Sequence, residues 1–270
     1  MAAQVTAVSM PLLVCADLRK TFNAGLAGAR PALNGVDLAL NRSDFVVIIG
    51  SNGAGKSTLL NTIAGAIEPD GGSIALDGQD ITRLAAHRRA GMIARVFQDP
   101  MIGTAAAMTI EENLALAEQR GQRRGFARHL DGAKRDRYRA LLAGLALGME
   151  DRLSTPVAQL SGGQRQALSL IMASLSRPSL LLLDEHTAAL DPRTAELIMA
   201  TTLRIVAEQS LTTLMVTHNM RQAIETGNRL VMMDAGRIRD DIGGTEKARL
   251  TPADLVEKFR IENDRMLLGT

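Results

Sequence analysis

The stretch FVVIIGSNGAGKST, residues 45–58, decides the fold. An apolar run, residues 45–49, passes through a glycine-rich turn into a helix-compatible segment. A short run that is apolar at every position fits a strand buried on both faces of a parallel sheet. A strand followed by G-x-x-x-x-G-K-S and a helix predicts a phosphate-binding loop. The loop residues would be Gly50, Ser51, Asn52, Gly53, Ala54, Gly55, Lys56, Ser57 and Thr58.

The residue types of this loop suit a polyphosphate. Glycines let successive backbone N–H groups turn inward, and the N-terminus of the following helix adds a favourable field. Lys56 supplies a point charge, and Ser57 offers a hydroxyl oxygen to Mg²⁺. The alternative is a glycine-rich turn that binds nothing, which the complete Lys-Ser ending disfavours. We expect a nucleoside triphosphate as the ligand.

A second apolar run, residues 180–183, ends in Asp184 and Glu185. At the end of a buried strand, the first carboxylate can hold Mg²⁺ through water and the second can polarise an attacking water. Acidic residues also end strands simply because the chain reaches solvent there. The phosphate-binding loop upstream favours the chemical interpretation.

Further runs at residues 214–216 and 230–233 predict more buried strands, and so an α/β core with a mostly parallel sheet. Turn signals at residues 70–72 and 76–78 predict a small N-terminal antiparallel β layer. Residues 109–177 are rich in Ala, Leu and Arg without strand-like runs, which predicts an inserted α-helical subdomain of about residues 105–177.

Helix-start signals support this division. Thr109 and Glu112 form a capping-box pattern. Pro252 suits the first position of a helix in a C-terminal tail of about residues 250–270, with Leu255, Val256 and Phe259 expected on one face. The whole chain, residues 1–270, is interpreted as one domain.

Composition narrows the function. Net charge is +2 with both signs spread along the chain, which does not predict nucleic-acid binding. The single cysteine, Cys15, excludes an intrachain disulfide and a cysteine-built metal site and suits a reducing compartment. Residues 1–16 are interpreted as a disordered start leading into a strand, because no Lys or Arg precedes the apolar stretch and Pro11 breaks it. The apolar runs are far shorter than the roughly 20 residues needed to cross a bilayer.

A third element is LSGGQRQ, residues 160–166, which precedes a helix-compatible stretch. Adjacent glycines before a helix can present amides and a serine hydroxyl to an anion, although Ser-Gly-Gly also suits a flexible linker.

These elements, in this order, make the chain resemble the ATPase subunit of ABC transporters over nearly its whole length. The resemblance implies Walker A at residues 50–58, a Q-loop, a signature, Walker B at residues 180–184, a catalytic carboxylate, a D-loop and a switch histidine. Beyond Walker A, the residues it assigns are Gln98, Ser161, Gly162, Gly163, Gln164, Asp184, Glu185, Asp191 and His218.

The resemblance also implies a mechanism. Two such subunits would sandwich two ATP molecules head to tail, so that Ser161 meets the γ-phosphate held by the opposite Walker A. Mg²⁺ would be held by Ser57, Gln98 and Asp184, and His218 would contact the γ-phosphate and the attacking water. Phe22 lies where the family stacks an aromatic on adenine, although it could equally be a core residue.

Two segments bear on which transporter this is. Residues 101–109 follow the Q-loop, where the family docks a coupling helix of the membrane subunit, although these residues could instead be core. The sequence of this segment, together with His186 at a position where the family most often has proline, resembles that of an importer branch. Members of this branch are assigned to tryptophan- and tyrosine-type uptake with a solute-binding protein. We interpret His186 as a spectator; the other possibility is an altered pH response.

The resemblance therefore implies an ATP-binding and ATP-hydrolysing subunit, peripheral on the cytoplasmic face of the inner membrane. Its partners would be a separate transmembrane permease, a second identical ATPase subunit and an extracytoplasmic solute-binding protein. Alternatives are an ABC exporter ATPase, or a soluble ABC ATPase acting on DNA or the ribosome. A long coiled coil or a second ATPase unit would mark the soluble class, and the sequence shows neither. The basic stretch at residues 120–139 is interpreted as a solvated helix face rather than a lipid or nucleic-acid contact.

Overall fold

The computed structural model describes residues 10–122 and 130–258, which form two β-sheets and the helices that pack on them. The strands are β1 (Leu13–Phe22), β2 (Arg30–Leu40), β3 (Phe45–Gly50), β4 (Gly71–Leu76), β5 (Gln79–Asp80), β6 (Ile93–Val96), β7 (Leu180–Asp184), β8 (Thr212–Val216), β9 (Arg229–Asp234) and β10 (Arg237–Gly243). One sheet is antiparallel, in the order β2-β1-β4-β5. The other has the order β10-β9-β3-β8-β7-β6.

The larger sheet is parallel from β9 to β6, and β10 adds an antiparallel edge. Its central strands are buried at nearly every position, as their uninterrupted apolar sequences require. The predicted P-loop NTPase core, with its mostly parallel sheet and N-terminal antiparallel layer, is confirmed.

The helices are α1 (Lys56–Ala64), α2 (Ala86–Arg89), α3 (Ile110–Glu118), α4 (Gly132–Ala143), α5 (Gly162–Ser174), α6 (Pro192–Gln209), α7 (Met220–Glu225) and α8 (Gly244–Lys247), with a 3₁₀ turn at Val157–Gln159. Residues 252–258 are also helical. The capping box at the start of α3 is present: Thr109 Oγ1 accepts from the Glu112 amide, and Glu112 Oε2 accepts from the Thr109 amide at 2.7 Å. Both groups are thereby paired at the helix N-terminus.

The alternating side chains of β3 divide the interior into two apolar cores. Val47 and Ile49 face a core shared with α3, α4, α5 and α6. Val46 and Ile48 face a second core shared with the antiparallel sheet and α1. The larger sheet is therefore the middle layer. The helical subdomain of residues 105–177 stays a prediction, since the core of α3, α4 and α5 is continuous with the sheet.

One detail of the C-terminal tail is wrong. Leu255 is buried as expected, but Val256 is 43 % exposed, because consecutive residues of a helix point in different directions. Phe259, the third residue of that expected face, lies outside the described residues.

The described part of the basic stretch pairs with acidic side chains. Lys134 and Arg137 both contact Glu118 of α3, and Arg135 contacts Glu111 of the same helix. These pairs hold α4 against α3, and the half-exposed side chains of Arg135 and Arg137 agree with the interpretation of a solvated helix face. Arg123, Arg124, Phe126 and Arg128 of the same stretch lie outside the described residues.

Candidate functional site

The phosphate-binding loop joins the end of β3 to the start of α1. The Lys56 ammonium is folded back onto the loop, donating to the carbonyl oxygens of Gly50 at 2.7 Å and Ser51 at 2.9 Å. Burial lowers the pKa of Lys56, and the charges of Glu185 and Asp184 oppose that shift. The residue before the helix is Gly55, so no side chain caps the first amides of α1. The loop therefore offers a cation and open helix amides at one place.

Two glycines fix how closely this loop approaches its surroundings. A Cβ on Gly50 would lie 2.3 Å from the Met233 carbonyl oxygen, and one on Gly55 would lie 2.3 Å from the Ala32 carbonyl oxygen. Gly55 also has φ +101°, a conformation that L side chains rarely adopt. Gly53 shares a positive φ of +85° but faces open space. Gly50 and Gly55 thus seat the loop against β9 and β2.

Glu185 and His218 come together, as their assigned roles require. Glu185 follows β7 in a left-handed conformation with φ +44°, and its amide donates to the Val216 carbonyl of β8 at 3.0 Å. That turn brings Glu185 Oε2 to 3.2 Å from Nδ1 of His218, which lies just past β8. Non-glycine residues seldom adopt this conformation, and here it accompanies a carboxylate that lies within hydrogen-bonding distance of the imidazole.

Sequence reasoning missed Arg95, on β6. Its guanidinium donates to Asp184 Oδ2 at 2.5 Å and to Asn61 Oδ1 of α1 at 2.6 Å. It also lies over the Phe97 ring, 4.6 Å from the ring centroid. A cation inside a short apolar strand, IARV, was the signal that could have revealed it. Arg95 connects Asp184 to α1 and to the residues before Gln98.

Gln98 is exposed just beyond β6 and lines an open cleft of about 500 Å³ together with Arg95 and Asp184. The preceding carbonyl, that of Phe97, accepts from Gln166 Nε2 of α5 at 3.0 Å. The segment around Gln98 therefore borders the cleft that Asp184 also lines, and the Phe97 carbonyl ties it to α5.

The segment 161–164 forms a helix N-terminus and not a flexible linker. Ser161 caps α5: its Oγ accepts from the Gln164 amide at 3.2 Å, and Gln164 Oε1 accepts from the Ser161 amide at 3.1 Å. Gln164 Nε2 donates to the Leu147 carbonyl at 3.0 Å. The side chain of Gln164 is thus engaged within the chain, and its contact with nucleotide stays a prediction. Ser161 and Gly162 are exposed, and a Cβ on Gly163 would lie 2.4 Å from Thr194 Cγ2.

Asp191 caps α6 by accepting from the Thr194 amide at 3.1 Å. Hydrogen bonds from Thr194 lower the pKa of this carboxyl, so it is ionised at neutral pH. Phe22, at the end of β1, is 39 % exposed. It is therefore a surface aromatic and not a core residue, and its stacking on adenine stays a prediction.

His186 is only 2 % exposed and its Nε2 lies 3.1 Å from Thr202 Oγ1 of α6. Burial lowers its pKa to about 4, so the imidazole is neutral at physiological pH. This side chain packs α6 against the loop after β7 and does not reach the exposed groups of the site, in agreement with a spectator role.

The oxygen donors expected to hold a metal, Ser57, Gln98 and Asp184, are hard ligands of the kind Mg²⁺ prefers. Within residues 10–122 and 130–258, no three His, Cys, Asp or Glu side chains cluster closely enough to hold an ion by themselves. The hydroxyl, amide and carboxylate oxygens of Ser57, Gln98 and Asp184 fit a Mg²⁺ that shares its coordination with nucleotide phosphates and water, as is usual for this ion.

Comparison with known proteins identifies the family. A model of the ABC transporter family matches residues 33–188. The chain belongs to the ABC transporter family. This ABC protein is 44 % identical over 248 residues to the tyrosine transport ATP-binding protein of Clostridioides difficile strain R20291, covering 92 % of this chain and 98 % of that protein.

A more distant relative is the methionine import ATP-binding protein MetN of Rhizobium etli, 37 % identical over 228 residues. That match covers 83 % of this chain and 59 % of the relative's own length. ABC transporter ATP-binding proteins are ATPases, and the present ABC protein is therefore an ATPase.

Solved structures agree with the fold of this ABC ATPase. A dimeric ATP-binding cassette in a post-hydrolysis state, bound to ADP and Pi, superposes with a TM-score of 0.73 at 28 % identity, over 86 % of this chain and 98 % of that one. The ADP conformation of another cassette from an ABC transporter gives a TM-score of 0.75 at 26 % identity, over 93 % and 99 %. Among the described residues, no helix is long and apolar enough to span a membrane.

Proposed function

We propose that this ABC ATPase is the energy-supplying subunit of an importer for a small solute, and that this solute is an amino acid. The observation that carries the proposal is the likeness, over nearly the full length of both chains, to a protein named for tyrosine transport. The methionine import relatives extend the same substrate class to a second branch. Both names denote amino-acid transport, whereas neither denotes an exporter or a factor acting on nucleic acid.

The site geometry supports specific roles in hydrolysis. We assign the triphosphate to the loop of residues 50–58, with Lys56 leaving the Gly50 and Ser51 carbonyls to meet the β- and γ-phosphates. Ser57, Gln98 and Asp184 would hold Mg²⁺, which neutralises charge on the phosphates when bound. Phe22 would stack on the adenine.

Glu185 and His218 form the hydrolytic pair of this proposal. The Glu185 carboxylate polarises the attacking water, and His218, 3.2 Å from it, contacts the same water and the γ-phosphate. The left-handed turn at Glu185 keeps the carboxylate beside His218 rather than along the axis of β7. Both side chains need to be in place because water must be oriented as well as deprotonated.

A second copy of the chain completes each site in this proposal. Ser161 and Gly162 are exposed at the N-terminus of α5, where helix amides favour an anion. Asp191 is exposed in the D-loop. Among the described residues, the only hydrogen bond of the Ser161 hydroxyl is the one it accepts from the Gln164 amide, which leaves the hydroxyl able to donate to the γ-phosphate bound by the opposite chain. A dimeric solved cassette of similar fold supports this arrangement.

The permease would dock beside the Q-loop, at the cytoplasmic face of the inner membrane. Met101 is 46 % exposed and Ile102 is 66 % exposed, which disfavours the alternative that this segment is core. Ile102 lines the same cleft as Gln98 and Asp184. A permease side chain bound against Ile102 would therefore lie directly beside the proposed metal-binding residues. An extracytoplasmic solute-binding protein would act through that permease.

The test is affinity purification of the tagged chain from detergent-solubilised native membranes, followed by mass spectrometry. We expect a polytopic membrane protein and a solute-binding protein with the wild type, and their loss with the double variant Met101→Glu, Ile102→Glu. The matched control is Leu26→Glu, because Leu26 is 68 % exposed in the turn between β1 and β2, and this variant should retain the permease.

Uptake of labelled tyrosine and methionine by cells lacking the chain then tests the substrate class. Restoration of uptake by the wild type supports the importer proposal. Recovery of ribosomal or DNA-repair proteins with no membrane partner would overturn it. A membrane partner whose deletion causes solute retention inside the cell would instead assign the chain to an exporter.

A further inference from the structure

The Asp184 carboxylate forms an ion pair with an arginine side chain of the same chain. The Arg95 guanidinium donates to Asp184 Oδ2 at 2.5 Å, and the side chains of the pair are only 11 % and 13 % exposed. An ion pair of this depth is weakly screened by solvent and salt, in contrast to surface pairs. The charge of Arg95 is therefore felt at the carboxylate proposed to hold Mg²⁺.

Arg95 is held in place by further contacts. It donates to Asn61 Oδ1 of α1, the helix that begins in the phosphate-binding loop, and lies over the Phe97 ring. Arg95 is on β6, whose parallel pairing with β7 places it opposite Leu182, two residues before Asp184. One guanidinium thus joins the two strands and the helix that frame the proposed metal position.

A fixed cation beside a metal-binding carboxylate has a definite electrostatic consequence. It lowers the attraction of Asp184 for a second cation, and it raises the attraction of the site for a metal-free polyanion. The positive charge of Arg95 therefore partly neutralises the four negative charges of free ATP before Mg²⁺ binds.

We propose that Arg95 is a positioning residue that holds the Asp184 carboxylate and weakens Mg²⁺ binding there, so that the metal contributes less to ATP affinity than it would at an unpaired aspartate. The proposal rests on the assignment of Asp184 to Mg²⁺ made above, and is independent of the transported solute. Phe97 and Gln98 lie two and three residues after Arg95 in the chain, so the ion pair lies just before the proposed Q-loop.

The test measures ATP affinity by isothermal titration calorimetry with Mg²⁺ and with EDTA, in Glu185→Gln protein so that ATP is not consumed. The dissociation constant with EDTA, divided by the dissociation constant with Mg²⁺, reports how much the metal helps nucleotide binding. We expect Arg95→Met, which removes the charge and keeps an unbranched side chain, to raise the benefit from Mg²⁺ about tenfold, a small part of the repulsion between two cations a few ångströms apart at the effective dielectric constant of a protein.

Three further variants make the test discriminating. Arg95→Lys retains the charge and should stay near the wild-type ratio. Arg42→Met removes an exposed Arg–Asp pair, with Asp77, and should leave the ratio unchanged. Unfolding temperatures confirm that each variant is folded. An unchanged ratio in Arg95→Met would overturn the proposal, and a reduced ratio would show that Arg95 assists the metal instead.

Asp184→Asn separates failure of this proposal from failure of the assignment beneath it. Loss of the Mg²⁺ benefit in Asp184→Asn supports the metal role of this carboxylate. If Asp184→Asn behaves as the wild type, the metal is held elsewhere, and the proposal for Arg95 falls with the assignment.

Discussion

Replacing Gly55 by alanine should damage the phosphate-binding loop far more than the same change at Gly53. Both glycines have positive φ, so each alanine costs about 1–2 kcal/mol of backbone strain. Only at Gly55 does the new Cβ collide with backbone, at 2.3 Å from the Ala32 carbonyl oxygen. Overpacking of a tight site typically adds about 1–3 kcal/mol. The Gly236 amide also donates to the carbonyl oxygen of Ala54 in the loop at 3.1 Å, so the loop cannot shift without losing that hydrogen bond.

Thermal unfolding measures the difference between these two variants. At roughly 2–4 °C per kcal/mol for a chain of this size, Gly53→Ala should lower the midpoint by about 4 °C and Gly55→Ala by about 10 °C. ATP affinity should fall more in Gly55→Ala, because β2 pushes the loop out of register with α1. Equal midpoints for the two variants would contradict this prediction, since they would show that β2 yields to the methyl group without cost.

Three further predictions concern hydrolysis, pH and helix capping. Glu185→Gln should reduce phosphate release by at least about 100-fold while ATP still binds, because the general base is lost; turnover near the wild-type rate would remove Glu185 from the proposed role. The pKa of His186 is about 4 in the folded chain against 6.5 ordinarily, so the unfolded chain binds the extra proton and stability falls as pH drops from about 6.5 to 4, by about 3 kcal/mol. The variant His186→Asn can still form a hydrogen bond with Thr202, and it should flatten the pH profile of the unfolding midpoint in this range. A profile like that of the wild type would contradict the assignment of this pH dependence to His186. Thr109→Ala should cost about 1 kcal/mol by removing the cap of α3, measured by urea unfolding, with Thr109→Ser as the conservative control that should retain most of the stability.

Much of the fold follows from local sequence patterns. The apolar runs ending at Gly50 and Asp184 become β3 and β7, because strands buried on both faces need apolar residues at every position. The capping box at Thr109 is local chemistry and appears as expected. The matching box at Ser161 and Gln164 has the same spacing, so its capping role is also encoded locally, although the sequence analysis weighs only an anion site and a flexible linker there.

The contacts that could not be foreseen depend on how distant segments meet. Arg95 reaches Asp184 because β6 and β7 are neighbours, although the two residues lie 89 positions apart in the chain. His186 is buried because α6 passes over it and supplies Thr202. Neither neighbour is encoded near the residue in question, whereas Glu185 and His218 could be paired in advance because the family resemblance assigns both to one site.

The most direct test of the proposed ATP-bound dimer is the assembly state of Glu185→Gln with ATP, measured by light scattering coupled to gel filtration and by counting bound nucleotide. We expect a particle of two chains and two ATP molecules that forms with ATP and Mg²⁺ and not with ADP. Lys56→Ala in the same background should remain a monomer, because its phosphate-binding loop lacks the cation. A Glu185→Gln chain that stays monomeric while saturated with ATP would contradict the proposal that each site is completed by Ser161 of a second copy.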